Sequence, residues 1–248
     1  SVFFLLKMLK ELIFFQDYIN LLVSWFGEMY KKKAFFITFE GIEGSGKSYL
    51  SKRFYKKIKR MGFKTIYTRE PGGTLRAERI RNIILKDYFN NKSKEKFDKY
   101  TDTLLYLAAR NEHIKNKIGP AMSEKKIVIC DRFTDSTTAY QVYGKKVNYK
   151  FIENIHKQIL GNLKPNLTFV LRVKISKALK RMNKRKSKNR YDKLSKSFYT
   201  RAQNAFIKIA KKNTKRYFMI DNSKDSNNVE NIILNKFIMS YQNANRSS

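Results

Sequence analysis

The residues whose chemistry is most legible lie between positions 39 and 50, "FEGIEGSGKSYL". Gly41, Ile42, Glu43, Gly44, Ser45, Gly46, Lys47 and Ser48 fit the spacing G-x-x-x-x-G-K-[ST], a turn whose backbone amides and following helix N-terminus cradle phosphates. In that pattern Lys47 reaches the β- and γ-phosphates and the Ser48 hydroxyl meets Mg2+, while the glycines admit a close approach of backbone to anion. A random chain of this length would show the string at roughly the 1% level, and here it follows an apolar β-rich run and opens a helical pattern. An incidental glycine-rich turn is the minor reading.

Two further stretches carry cations and carboxylates in places suited to anions. "TREPGGT", residues 68 to 74, presents Arg69 beside a Pro-Gly-Gly turn; it reads either as a second phosphate site or as a plain turn with a solvated arginine. "IVICDRFTDSTTAYQ", residues 127 to 141, is an apolar run ending in Asp131 and Arg132. A carboxylate at a strand's carboxyl end sits where open α/β sheets bind ligands and can hold Mg2+, with capping of the next helix as the alternative role for Asp131.

The elements that must position these residues alternate along the chain. Short β-rich runs fall at 34 to 39, 64 to 67, 127 to 130, 167 to 173 and 216 to 220. Helical patterns occupy 47 to 61, 75 to 86, 101 to 123, 149 to 160, 176 to 183, 193 to 212 and 228 to 240. Such alternation argues for a parallel sheet covered on both faces.

Composition narrows the function classes. The 248 residues include one cysteine, Cys130, and two histidines, which leaves neither a disulfide framework nor a zinc-type cluster and reads as intracellular. The formal net charge of +34, from 54 Lys and Arg against 20 Asp and Glu, would suit nucleic acid, but no zinc-finger spacing or aromatic RNA-binding motif accompanies it. Compositional drift plus an anionic small-molecule substrate explains it better. Residues 1 to 28 are apolar almost all round, yet Lys7, Lys10, Glu11 and Asp17 break the run short of the ~18 uncharged residues of a spanning helix. They read as an extension foreign to the domain at 29 to 248, with membrane contact as the minor reading.

Taken together, FEGIEGSGKS, TREPGGT, LLYLAAR, CDRFTDSTTAYQ and LGNLKPNLTFVLRV closely resemble the thymidylate kinase family, from about Phe35 to Asp221. The resemblance implies a three-layer P-loop kinase α/β fold with a five-stranded parallel sheet, a basic lid at about 181 to 192, and a cytoplasmic homodimer. It implies transfer of the γ-phosphoryl of Mg-ATP to dTMP. Glu43 falls where the family holds the acceptor's 3′-hydroxyl, and Arg69 on the ligand of the dTMP phosphate. Tyr106 and Arg110, one helical turn apart, match the residues that stack on and hydrogen-bond thymine; by periodicity alone Tyr106 would be a core aromatic. Ser136 and Thr137 match the pair that reads the base edge, Tyr140 and Gln141 the residues near the sugar, with Arg132 and Tyr191 also at the acceptor.

Some family members carry a catalytic arginine in the phosphate loop and others supply it from the lid. Gly44 stands at the loop position, so the resemblance assigns the role to the lid, with Arg185 on the matching position and Arg181 and Arg190 beside the donor phosphates. Two departures stand out. The family's L-D-V is Leu171, Arg172, Val173 here, and its D-R-x-E element reads Asn189, Arg190, Tyr191, Asp192; both are expected to add positive charge near ATP. The runner-up functions are another nucleoside-monophosphate kinase and a basic P-loop ATPase that binds nucleic acid.

Overall fold

The computed structural model describes residues 33 to 85, 96 to 184, 190 to 223 and 228 to 246. The expectation for residues 1 to 28 and the centre of the basic segment, including Arg185, lie outside the described residues. Five strands, β1 (Phe35–Glu40), β2 (Thr65–Arg69), β3 (Ile127–Asp131), β4 (Leu167–Arg172) and β5 (Tyr217–Asp221), form one parallel sheet in the order β2-β3-β1-β4-β5. β1 is buried along its whole length, as a central strand covered on both faces must be.

The two faces follow the period-2 alternation of β1. Phe35, Ile37 and Phe39 pack with Leu50, Phe54 and Ile58 of α1 (Lys47–Arg60) and with Ile233 and Phe237 of α8 (Asn228–Arg246), while Phe36 packs the opposite way against Val128, Ile114 and Phe133. On that second face lie α2 (Leu75–Leu85), α3 (Lys99–His113), α4 (Thr134–Thr137), α5 (Tyr149–Leu160), α6 (Ile175–Asn183) and α7 (Lys196–Lys212), with the α6 and α7 apolar residues joined to Ile42 and Val170 in one cluster.

Three departures from the expected elements have local causes. The helix expected over 101 to 123 is α3 followed by a π-helical turn, Ile114–Ile118, and a short α-helix, Gly119–Ser123; Pro120 cannot donate to the ladder and the turn before it widens. α4, continued as a π-helix through Thr138–Gly144, falls in a Ser/Thr-rich stretch without a helical pattern, and its packing against α7 overrides propensity. β2 runs on to Arg69, so that arginine is the last residue of a strand and not part of the following turn.

The sheet's register sets the site. Phe39 of β1 and Arg69 of β2 both pair with Asp131 of β3, so the loops after all three strands leave from one line. The chain passes from β1 to β2 on one side and returns to β4 on the other, which makes the carboxyl end of β1 the switch point where such sheets bind ligands.

Candidate active site

At that switch point opens a cavity of about 940 Å3 whose lining includes Glu43, Lys47, Arg69, Tyr106, Asp131 and Arg132. Its floor is the phosphate loop. Gly44 has φ 73°, and a Cβ there would lie 2.4 Å from the Ala178 carbonyl oxygen of α6, so only glycine fits. Gly44 and Gly46 flank Ser45, whose hydroxyl is buried without a hydrogen-bond partner; the Ser45 carbonyl accepts from Asn222 Nδ2 at 2.8 Å. Lys47 is buried at the first position of α1 and its Nζ donates to the Ile42 carbonyl at 3.3 Å, folded over the loop it serves.

The Ser48 hydroxyl donates to Asp131 Oδ2, and Asp131 Oδ1 is buried with no hydrogen-bond partner. A hydroxyl beside a carboxylate with a spare buried oxygen suits a hard cation. Among the described residues no group of three His, Cys, Asp or Glu could hold a metal; Mg2+ asks for less, one or two protein oxygens with the rest from phosphates and water.

Arg132 is the pivot between loop and acceptor wall. It adopts φ 74°, its backbone N–H held by the Phe39 carbonyl at 3.0 Å. Its guanidinium donates to Glu43 Oε1 at 2.7 Å, to the Gly41 carbonyl at 3.0 Å and to Ser136 Oγ at 2.9 Å, and lies 5.1 Å from the centre of the Tyr140 ring. Burial pushes the Glu43 carboxyl up, but Arg132 and Lys47 outweigh it and hold Glu43 below the usual carboxylate range. Burial likewise opposes the charge on Arg132, and the carboxylate of Glu43 more than restores it. The Tyr140 hydroxyl donates to the other Glu43 oxygen.

Ser136, expected at the base edge, has its hydroxyl proton committed to Glu40 Oε2 at 2.6 Å while it accepts from Arg132. Thr137 accepts from Arg110 Nη1 at 2.8 Å. Both therefore meet the two arginines, and both still line the cavity. Gln141 lines it too, with a buried Nε2 that has no partner.

Arg110 is 2% exposed and all three of its nitrogens are engaged. Nε donates to Glu70 Oε2 at 2.8 Å, Nη1 to Thr137 and to His156 Nε2 at 2.7 Å, and Nη2 to the Phe133 carbonyl at 3.0 Å. An arginine only donates, so His156 accepts through Nε2 and is neutral; burial and then Arg110 lower it to about 3. Glu70 also meets His113 Nδ1 at 3.1 Å, and His113 Nε2 lies 2.6 Å from Thr68 Oγ1. The Glu70–Pro71 peptide is cis.

Arg69 reaches both oxygens of Glu78 at 3.0 Å through Nη2, and Glu78 Oε1 accepts the Gly73 N–H at 2.9 Å. Across the cavity Tyr106 and Tyr140 each meet the Tyr191 ring edge-on, with centroids 6.3 Å and 5.9 Å away.

On the donor side Arg181 of α6 donates to the Gly44 carbonyl at 2.9 Å and to the Asn222 carbonyl at 3.4 Å. Arg190, expected at the ATP phosphates, pairs here with Asp102 of α3, a buried carboxylate that Lys145 also meets. Arg172 pairs with Asp221, its register partner on β5, at 2.8 Å, so an acid offsets its charge.

The family model described as thymidylate kinase matches residues 39 to 233. A thymidylate kinase of Mycoplasma capricolum is 41% identical over 207 residues, covering 81% of this chain and 95% of that relative. The chain belongs to the thymidylate kinase family. A thymidylate kinase of Wolbachia pipientis wMel is 41% identical over 206 residues, 81% of this chain and 98% of the relative. A crystal structure of thymidylate kinase from Ehrlichia chaffeensis shares 34% identity and superposes with a TM-score of 0.60 over 76% of this chain and 93% of that one. The runner-up functions find no support in these matches.

Several residues in and around this cavity carried no assignment in the sequence. Glu40, Glu70 and Glu78 sit in or beside quoted motifs, but their partners Ser136, Arg110 and Arg69 are recognisable only once the strands are aligned. His156 lies in an amphipathic helix with no motif around it.

Proposed function

We propose that this thymidylate kinase moves the γ-phosphoryl of ATP in line onto the phosphate of dTMP, with the residues assigned as follows. The amides of Gly41 to Ser48 and the Lys47 ammonium hold the β- and γ-phosphates of ATP. Arg132 and Arg69 hold the acceptor phosphate, and Glu43 fixes Arg132 and the 3′-hydroxyl side of the sugar. Tyr106 stacks on thymine with Tyr140, Gln141 and Tyr191 around the nucleoside, and Arg110 with Ser136 and Thr137 supports the base edge. Ser48 and Asp131 would hold Mg2+, which neutralises charge on the phosphates.

Two anions must be pressed together, and positioning with charge neutralisation supplies nearly all the catalysis in such transfers. The acceptor phosphate is already ionised, so no general base is required. The observation that carries the reading is the 2.7 Å ion pair of Glu43 with Arg132, which ties the phosphate loop to the acceptor wall across one cavity. Arg181, at the Gly44 carbonyl, and Arg185 are the lid cations that reach the transferring group.

The protein works as a cytoplasmic homodimer without a dedicated nucleic-acid partner in this reading. Among the described residues no helix is long and apolar enough to cross a membrane, and Tyr100 and Leu104 stand exposed one turn apart on α3 as an apolar face that supports association. Residues 1 to 28 are dispensable to the domain beginning at Met29.

The test is ADP formation with Mg-ATP, with and without dTMP, beside dUMP, dGMP and AMP. Strong stimulation by dTMP is expected, with a requirement for Mg2+ that weakens in affinity in Ser48→Ala and Asp131→Asn. Equal stimulation by AMP or dGMP would overturn the acceptor assignment.

A further inference from the structure

Asp102 of α3 holds residues from two other elements that wall the cavity, and no step of the proposed phosphoryl transfer uses it. It lies on α3 one turn before Tyr106 and two turns before Arg110, and it is fully buried. A buried carboxylate is stable only with partners, and removing one of them is costly. Its two partners come from two other elements. Lys145, immediately after the helix that carries Tyr140 and Gln141, donates from Nζ to Asp102 Oδ2 at 2.5 Å. Arg190, at the start of the single 3-10 turn Arg190–Lys193, donates to Oδ1.

Both cations lie against the same ring. Lys145 Nζ is 5.5 Å and the Arg190 guanidinium 5.2 Å from the centre of Tyr191, within the range of a cation–π attraction. Tyr191 in turn meets Tyr106 of α3 and Tyr140 of the second wall edge-on. Asp102 thus fixes two cations, the cations fix Tyr191, and Tyr191 sets the gap between Tyr106 and Tyr140.

We propose that Asp102 is a positioning residue for the acceptor nucleotide, acting through Lys145 and Arg190 to hold the Tyr191 ring in the wall of the dTMP pocket. The inference rests on the reading of this cavity as the dTMP pocket, and it gives the Arg190–Asp102 pair a role. It predicts an effect on acceptor binding separate from the chemical step, because neither Asp102 nor its partners touch the phosphate loop.

The experiment is steady-state kinetics of the full chain carrying Asp102→Asn, with Tyr191→Ala in parallel. In Asp102→Asn, KM for dTMP should rise about tenfold while kcat stays within about threefold and KM for ATP within about twofold; a merely structural role would lower the active fraction, and so kcat, instead. Lys145→Met should raise KM for dTMP by a smaller factor, and the double variant should be no worse than Asp102→Asn alone, as for residues acting in one network. A KM for dTMP unchanged in Asp102→Asn while Tyr191→Ala raises it would overturn the anchor alone; no effect in either would overturn the pocket reading with it. Should Asp102→Asn fail to fold, Lys145→Met and Arg190→Gln carry the test, and an unchanged KM for dTMP in both overturns the proposal.

Discussion

Glu43 and Arg132, 89 residues apart in the chain, meet at 2.7 Å with their side chains 15% and 14% exposed. The pair joins the phosphate loop to the end of β3, and each partner restores the charge that burial would remove from the other. Glu43→Gln and Arg132→Lys should each lower kcat/KM for dTMP by at least about tenfold, with the double variant well short of the product of the two, since interacting residues couple by ~0.5–3 kcal/mol. Strict additivity would show that the pair does not act as a unit.

Arg181 reaches the phosphate loop at the Gly44 carbonyl, which makes it a rival to Arg185 for the lid cation that acts in the transition state. Arg181→Ala should lower kcat by at least about tenfold with little change in KM for dTMP. Parallel measurement of Arg185→Ala ranks the two. Retained kcat in Arg181→Ala would return the role to Arg185.

Glu40 should give the protein a pH-dependent stability. Burial, and then the neighbouring Asp135, raise its carboxyl from the ordinary 4.5 to about 8 against the opposing pull of Ser136 and Arg132. The folded state therefore binds a proton that the unfolded chain has released above pH 4.5, so this contribution is full below pH 4.5 and is lost as the pH rises to 8. His156 works in the other direction, but only below pH 6.5. Between pH 7 and 8 the Tm should fall by roughly 3 °C, and Glu40→Gln should flatten the fall. Parallel curves for the two proteins would remove Glu40 as the cause.

Arg172 should matter little to ATP. Its pair with Asp221 is half exposed on both sides, and such pairs contribute at most ~1 kcal/mol. In Arg172→Ala, KM for ATP should change by less than about twofold. A larger change would mean that its charge reaches the donor site in spite of Asp221.

The phosphate loop, the five strands and the α/β class were legible because their signals are local: glycine spacing, apolar runs and the change of period between them. What escaped was set by distance in the chain. Arg190 follows a basic run that points to the donor phosphates, yet the carboxylate that captures it is 88 residues upstream. Arg110 is recognisable as a site residue, but its commitment to Glu70, Thr137, Phe133 and His156 needs four segments brought together. The helix from Thr134 has no periodic pattern, and it exists because α7 covers it.

Gly44 bears on how this branch of the family can evolve. A side chain there would run into the backbone of Ala178, so the loop position and helix α6 exclude each other in space. A single Gly44→Arg change would not add a second cation to the site; it would first drive away the helix that brings Arg181 to the loop. An arginine at position 44 would therefore be epistatic with the residues of α6 that lie against the loop.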